Sequence, residues 1–236
     1  MIRIAIIEQI GYREWTESIG TDREWKIQET QAKIYSESQK ITTKYGGFVL
    51  PLRFDYMTIV ASNLNEENEK DILETVSSLS PVAVRLSSHI GLTPIEAENN
   101  AWLYMSDIDP GKTGHFGKSE KEYVIVSHID LNGLTPITQK LGTFKTYARI
   151  LSILERINEI SQERGGLAQY LGGDNILVLL PHDDYDDLVL KLISIDDLKA
   201  GIALAPKARD AMKLAADALH EIRLKRNARI VKKSLI

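Results

Sequence analysis

Two acidic residues stand where a carboxylate is most useful for chemistry. Asp130, in His128-Ile129-Asp130-Leu131-Asn132-Gly133, closes a short apolar run, and Asp174, in Leu171-Gly172-Gly173-Asp174-Asn175, lies in a glycine turn. Val124-Ile125-Val126 and Ile176-Leu177-Val178-Leu179-Leu180 are too short and too uniformly apolar for surface helices and read as buried central strands. If the first strand pairs beside the hairpin, both carboxylates emerge at one edge of a sheet. Two carboxylates with no lysine partner nearby in sequence make a hard-cation site, suited to Mg²⁺ carried by a nucleotide triphosphate. We therefore expect Asp130 and Asp174 to bind metal and to serve catalysis.

The neighbouring residues extend this expectation. Gly172 and Gly173 accept positive φ in a tight turn, and their missing side chains let a phosphate or base approach the backbone. Asn132 and Asn175 are neutral hydrogen-bonding candidates for base or ribose. The turn after Asp130 precedes a helix and offers backbone N–H groups to phosphate oxygens. Lys199, which opens Leu198-Lys199-Ala200-Gly201-Ile202, is placed to reach a triphosphate as a point charge. His128 shares a strand face with Asp130, and is a candidate catalytic group or orienter of a metal ligand, or a core histidine. Singly, each piece has a plain structural use, since Gly-Gly-Asp makes hairpin turns and Asp after a strand caps helices. Their coincidence at a strand end and a hairpin tip is what points to a site.

The elements that position these residues occur twice. Tyr45-Gly46-Gly47-Phe48 through Asp55 to Val60 aligns with Arg164-Gly165-Gly166-Leu167 through Asp174 to Leu179 at a constant offset. Each half reads as strand, long helix, Gly-Gly turn, hairpin with one Asp at its tip, helix, strand and last helix. In the second half the spans are 122–130, 143–162, 165–166, 167–181, 183–192, 198–205 and 207–225. In the first half the strand is 2–8, the long helix lies within 22–43, the hairpin is 48–62, and the closing strand and helix are 81–88 and 94–105. Ile150, Ile153, Leu154, Ile157 and Ile160 recur at helical spacing as one apolar stripe. Pro181 ends its strand by removing a backbone donor.

The spans imply an N-terminal domain at 1–106, a linker at 107–120 rich in Gly and Pro, and a C-terminal domain at 121–236. Gly111-Lys112-Thr113 mimics the end of a phosphate-binding loop, but Ser106 stands where that motif needs glycine.

Composition narrows the classes. The chain has 236 residues, 43% hydrophobic and 26% charged, with a net charge of −4 and a pI near 5.8. That balance argues against long nucleic acid as a partner, which needs surplus Lys and Arg facing phosphates. One basic run, Arg223, Lys225, Arg226, Arg229, Lys232 and Lys233, reads as the solvated end of a helix. Without cysteine there is no disulfide, no thiolate metal site and no thiol nucleophile. The other histidines, His89, His115, His182 and His220, lack zinc-like spacing. No signal segment or membrane span is expected, and the protein reads as cytoplasmic.

Asp130 in HIDLNG, the YLGGDN hairpin, the LKAGIALAPKARDA strand and helix, RFDY at 53–56, and Tyr12 and Trp15 together resemble archaeal GTP cyclohydrolase III. The similarity spans nearly the whole chain. It implies an α+β fold of two tandem palm domains, ferredoxin-like and nucleotide-cyclase-like, each an antiparallel sheet packed with helices. It further implies GTP as substrate, two or more Mg²⁺ ions, a homo-oligomer, and Asp55 as an added metal ligand. The implied reaction opens the guanine imidazole ring, retains the formyl group and releases two phosphates. Family members carry Asp in the first strand of the N-terminal half; here Ile10 is read at that place, with Glu8 two residues earlier. Two other functions would use the same frame: a nucleotidyl or diguanylate cyclase, against which Asn175 stands where those enzymes have Glu, and a catalytically silent nucleotide-binding module.

Overall fold

The computed structural model describes residues 1–225 and 228–236. The chain forms two compact units, one of Met1–Gly91, Glu96–Glu122 and Lys207–Arg209, the other of Leu92–Ile95, Tyr123–Pro206 and Asp210–Ile236. Among the described residues no helix is long and apolar enough to cross a membrane.

In the N-terminal half the elements are β1 (Ile2–Gln9), α1 (Tyr12–Ser18), α2 (Glu24–Tyr45), β2 (Phe48–Leu50), β3 (Tyr56–Val60), α3 (Glu66–Ser77), β4 (Val84–Gly91), α4 (Pro94–Leu103) and β5 (Thr113–His115). The sheet runs β2-β3-β1-β4-β5. In the C-terminal half they are β6 (Val124–Leu131), α5 (Leu134–Leu141), α6 (Thr143–Glu163), β7 (Leu167–Gly172), β8 (Asn175–Leu179), α7 (Tyr185–Ile193), β9 (Leu198–Ala205), α8 (Ala208–Lys225) and β10 (Ile230–Ser234). Its sheet runs β10-β9-β6-β8-β7, the same order with β6 in the place of β1. Both halves thus carry the palm arrangement, with the first strand at the centre between the hairpin and the last core strand.

The sheets depart from the expected all-antiparallel form. Four strands in each are antiparallel, but β5 pairs parallel with β4 and β10 pairs parallel with β9. Both added strands were hidden by composition. Thr113–His115 lies in the Gly- and Pro-rich stretch 107–120, and Ile230–Ser234 lies inside the basic run, where charge masks a period-2 pattern.

The core of the second sheet explains which face carries the site. Ile125, Ile129 and Leu131 of β6 pack with Ile150, Ile153 and Ile157 of α6 and with Leu188, Val189 and Leu192 of α7. Burying each such aliphatic side chain contributes about 1.5–3 kcal/mol. Side chains alternate along a strand, so His128 and Asp130 project to the opposite face. There α8 lies unusually close. A Cβ on Gly201 of β9 would fall 2.2 Å from the Ala215 carbonyl oxygen, so only glycine admits the helix at this distance. Ala211, Ala215 and Ala218 keep the approaching side of α8 small.

The N-terminal sheet has its own core, in which Ala5 and Ile7 of β1 pack with Ile34 of α2 and with Ile72 and Val76 of α3. Its hairpin tip is longer and keeps one left-handed residue, which is not glycine. Phe54 adopts φ 66°, matching Gly173 at φ 61°. A left-handed conformation costs a non-glycine residue roughly 1–2 kcal/mol.

Candidate active site

Three strands bring one row of side chains together. Asp130 of β6 lies opposite Asn175 of β8 and opposite Lys199 of β9, and directly paired residues share a face. The Asp130 carboxylate is buried and holds two cations: Lys199 Nζ stands 2.9 Å from Oδ1, and the Arg223 guanidinium of α8 meets Oδ2. Asp174 is drawn to the same strand end by its backbone, whose carbonyl accepts the Leu131 N–H at 3.1 Å. Gly173 takes positive φ in the turn, and the Tyr170 hydroxyl, whose pKa burial raises, donates to the Gly173 carbonyl oxygen at 3.1 Å.

Hydrogen bonds tie the remaining candidates into the row. Asn175 Nδ2 donates to Asp174 Oδ1 at 2.9 Å and to the Gly172 carbonyl oxygen at 3.3 Å, and Asn175 Oδ1 faces His128 Nε2 at 2.9 Å. Burial lowers the His128 pKa, against the opposing pull of the Asn175 bond and the nearby Asp130. Asn132 is engaged with protein on both sides, its Oδ1 accepting from Lys199 Nζ at 2.9 Å and its Nδ2 donating to Asp197 Oδ1 at 3.0 Å.

Two clefts open from this row. One, of about 420 Å³, is lined by Leu134, Thr135, Thr138, Gln139, Gly173 and Asp174. The other, of about 440 Å³, is lined by Asn132, Lys199, Ile222, Arg223, Ala228 and Arg229. The first joins apolar and uncharged polar groups with one carboxylate, the second gathers three cations, and both have the size of small-ligand sites.

The structure corrects two readings of the charges. Asp130 does have a lysine partner, Lys199, which is distant in sequence but adjacent across the β6–β9 pairing. Arg223 and Arg229 are more than a solvated helix end, since each also holds a protein partner. Arg223 reaches Asp130, and Arg229, beyond the helix, donates to the carbonyls of Leu198, Ile193 and Asp196. Lys225, Lys232 and Lys233 pair with Glu221 or Asp186, while Arg226 falls outside the described residues. No spacing rule links Asp130 to a residue 93 positions on; only the close packing of α8 does.

The N-terminal half has an equivalent row, in which Glu8 rather than Ile10 holds the register of Asp130. Glu8 lies opposite Tyr56 and Arg85, as Asp130 lies opposite Asn175 and Lys199. The left-handed turn glycine follows three residues later in both, as Gly11 and Gly133. Glu8 is therefore the acidic residue of the first strand. Its two oxygens take the Tyr56 hydroxyl at 3.0 Å and Arg85 Nε at 2.7 Å. Asp55 lies in this first unit, paired with Arg53 at 2.8 Å.

The donors suit a hard cation brought by its ligand. Among the described residues no three His, Asp or Glu side chains converge as a protein-built metal cage would require. Mg²⁺ in nucleotide sites uses one or two carboxylates together with phosphate oxygens and water, and does not require a protein-built cage. Asp130 already stabilises positive charge on both oxygens. Arg223, half exposed at 52%, stands at the cleft surface where an incoming ligand can displace it.

The GTP cyclohydrolase III of Aeropyrum pernix is 43% identical over 96% of this chain and 94% of its own length. That of Sulfurisphaera tokodaii is 35% identical over 97% of each. Among solved structures, a GGDEF domain from Pseudomonas aeruginosa is 26% identical, covering 49% of this chain and 83% of its own, with a TM-score of 0.42. The sequence profile of GTP cyclohydrolase III matches residues 2–234, and the chain belongs to that family.

Proposed function

We propose that this chain hydrolyses GTP to 2-amino-5-formylamino-6-ribosylamino-4(3H)-pyrimidinone 5′-monophosphate and two phosphates, using Mg²⁺ at the rim of its C-terminal sheet. The observation that carries this reading is Asp130, a buried carboxylate whose two cationic partners, Lys199 and Arg223, line a cleft. One water adds at guanine C8 as the C8–N9 bond breaks, leaving the formyl group on N7. Each phosphoanhydride cleaved takes up a further water. Bound Mg²⁺ would neutralise phosphate charge and lower the pKa of water.

The residues divide the remaining work. Asp130 and Asp174 would hold the cation. Lys199 and Arg223, released from Asp130, would turn to the triphosphate in the basic cleft, where their charge offsets what develops on the phosphate oxygens. Asn132 steers Lys199 through its Oδ1. The backbone at Gly172 and Gly173 leaves room for the nucleotide beside Asp174. Asp55 is a separate candidate: an exposed arginine covers its carboxylate, and a cation can take the place of that guanidinium.

The double ion pair of Asp130 also suits a silent module in which the cations are permanent partners, so the test must separate the two. With GTP and Mg²⁺, the purine ultraviolet band should disappear as two phosphates are released per GTP. Asp130→Ala and Asp174→Ala should abolish both signals. Unchanged GTP with the unmodified protein would establish the silent module, and cyclic or dinucleotide products would establish a cyclase.

A further inference from the structure

We propose that Asn175 and His128 are positioning residues that together aim the Asp174 carboxylate, with His128 acting through Asn175. The inference rests on Asp174 being a metal ligand, as read above.

The chemistry of the atoms fixes the direction of each bond. Asn175 faces a carboxylate and a carbonyl on one side, and both only accept. Its NH₂ must therefore point to Asp174 Oδ1 and Gly172, which turns Oδ1 to His128. That oxygen can only accept, so His128 Nε2 must carry the hydrogen. The neutral ring then leaves Nδ1 bare, and Nδ1 is buried with no hydrogen-bond partner among the described residues. A buried acceptor without a partner is unfavourable, so packing alone does not account for this ring. Its one hydrogen bond among the described residues is the bond that locks the Asn175 amide.

Asp174 needs such a restraint. It sits in a turn beside two glycines of positive φ, and Asn175 Nδ2 is the one side-chain donor to its carboxylate among the described residues. A glutamate in place of Asn175 would repel that carboxylate, whereas an amide holds it. The N-terminal half serves as an internal control. Tyr56 stands at the register of Asn175 and turns its hydroxyl to Glu8, and Ile6 stands where β6 has His128. Asp55 is held there by Arg53 instead. Among the described residues, the chain from histidine through amide to carboxylate occurs in the C-terminal half and has no counterpart at the same register of the N-terminal half.

Two readouts test the idea without relying on turnover. Imidazole ¹⁵N NMR should show His128 as the Nε2–H tautomer; an Nδ1–H tautomer overturns the chain of bonds. Mn²⁺ titration in the presence of GTP, followed by electron paramagnetic resonance, should show His128→Ala and Asn175→Ala binding about 10-fold more weakly, the size expected when an outer partner of a ligand is lost. His128→Gln, which restores an N–H donor, should recover most of the affinity. Tight Mn²⁺ binding by His128→Ala and Asn175→Ala, beside loss of binding in Asp174→Ala, sinks the relay and spares the ligand. Unchanged binding in Asp174→Ala sinks the ligand assignment itself.

Discussion

Lys199 is held by two groups that an arriving nucleotide would compete with, Asp130 at 2.9 Å and Asn132 at 2.9 Å. Replacing it with Met leaves Asp130 buried with Arg223 alone. Removing one partner of a buried pair costs about 3–5 kcal/mol, and the remaining arginine should hold the loss to roughly 2 kcal/mol. Lys199→Met should therefore unfold at lower urea in the absence of metal, with much of the loss recovered by saturating Mg²⁺ and a non-hydrolysed GTP analogue. Its KM for GTP should rise about 10-fold, more than kcat falls, because a charge–phosphate contact is made in the ground state as well as the transition state. A fall in kcat with unchanged KM would place Lys199 away from the phosphates. Asp130, Asp174 and Lys199 are candidates legible in the sequence because a strand end, a glycine turn and a strand start are local signals. Arg223 and the engagement of Asn132 with Lys199 and Asp197 were not, because they depend on which elements pack together.

At the level of elements, the same division holds. Strand and helix spans such as 198–205 follow from period and length, whereas β5 and β10 owe their existence to an exposed parallel edge on β4 and β9. The placement of α8 depends on Gly201, a residue that looks dispensable in a strand. Gly201→Ala must push α8 outward or distort β9, since Cβ would lie 2.2 Å from the Ala215 oxygen. Overpacking of this kind costs about 1–3 kcal/mol, and it also draws Arg223 from Asp130. We expect a lower melting temperature and a larger loss of turnover than Lys199→Met alone causes; a silent Gly201→Ala would show that α8 is free to move. β6 brings a pH dependence as well. Burial lowers the pKa of His128 within it, and of His182 stacked 4.0 Å from Tyr123 beside it. In the unfolded chain both titrate near 6.5, so at lower pH the unfolded state binds more protons than the folded one. Their contribution is complete above about pH 6.5 and is lost as pH falls towards the folded values. Urea midpoints should drop between pH 7.5 and 5.5, and His182→Gln should flatten that slope.

Across the whole molecule, two copies of one topology place an acidic residue at the same register, with opposite consequences. Glu8 has both oxygens occupied by Tyr56 and by Arg85, and Arg85 is further tied to the Ile108 carbonyl oxygen at 3.0 Å. The partners of Asp130 instead line an open basic cleft, and the glycine turn beside it has become Arg53-Phe54 in the first half. On the proposed function, we expect the first row to be a structural remnant of the frame and the second to be the working copy. Glu8→Gln should cost about 1–3 kcal/mol, the loss of a charged hydrogen-bond acceptor in a largely buried pair, while GTP turnover changes less than about threefold. Asp130→Asn, the same chemical change at the same sheet position, should lower turnover by more than about 100-fold, exceeding the loss expected for a mere supporting residue. Parallel melting curves and phosphate-release assays on the two variants decide the matter. Equal loss of turnover from both would mean that the first half shares in the chemistry, and that duplication gave this protein two working sheet edges.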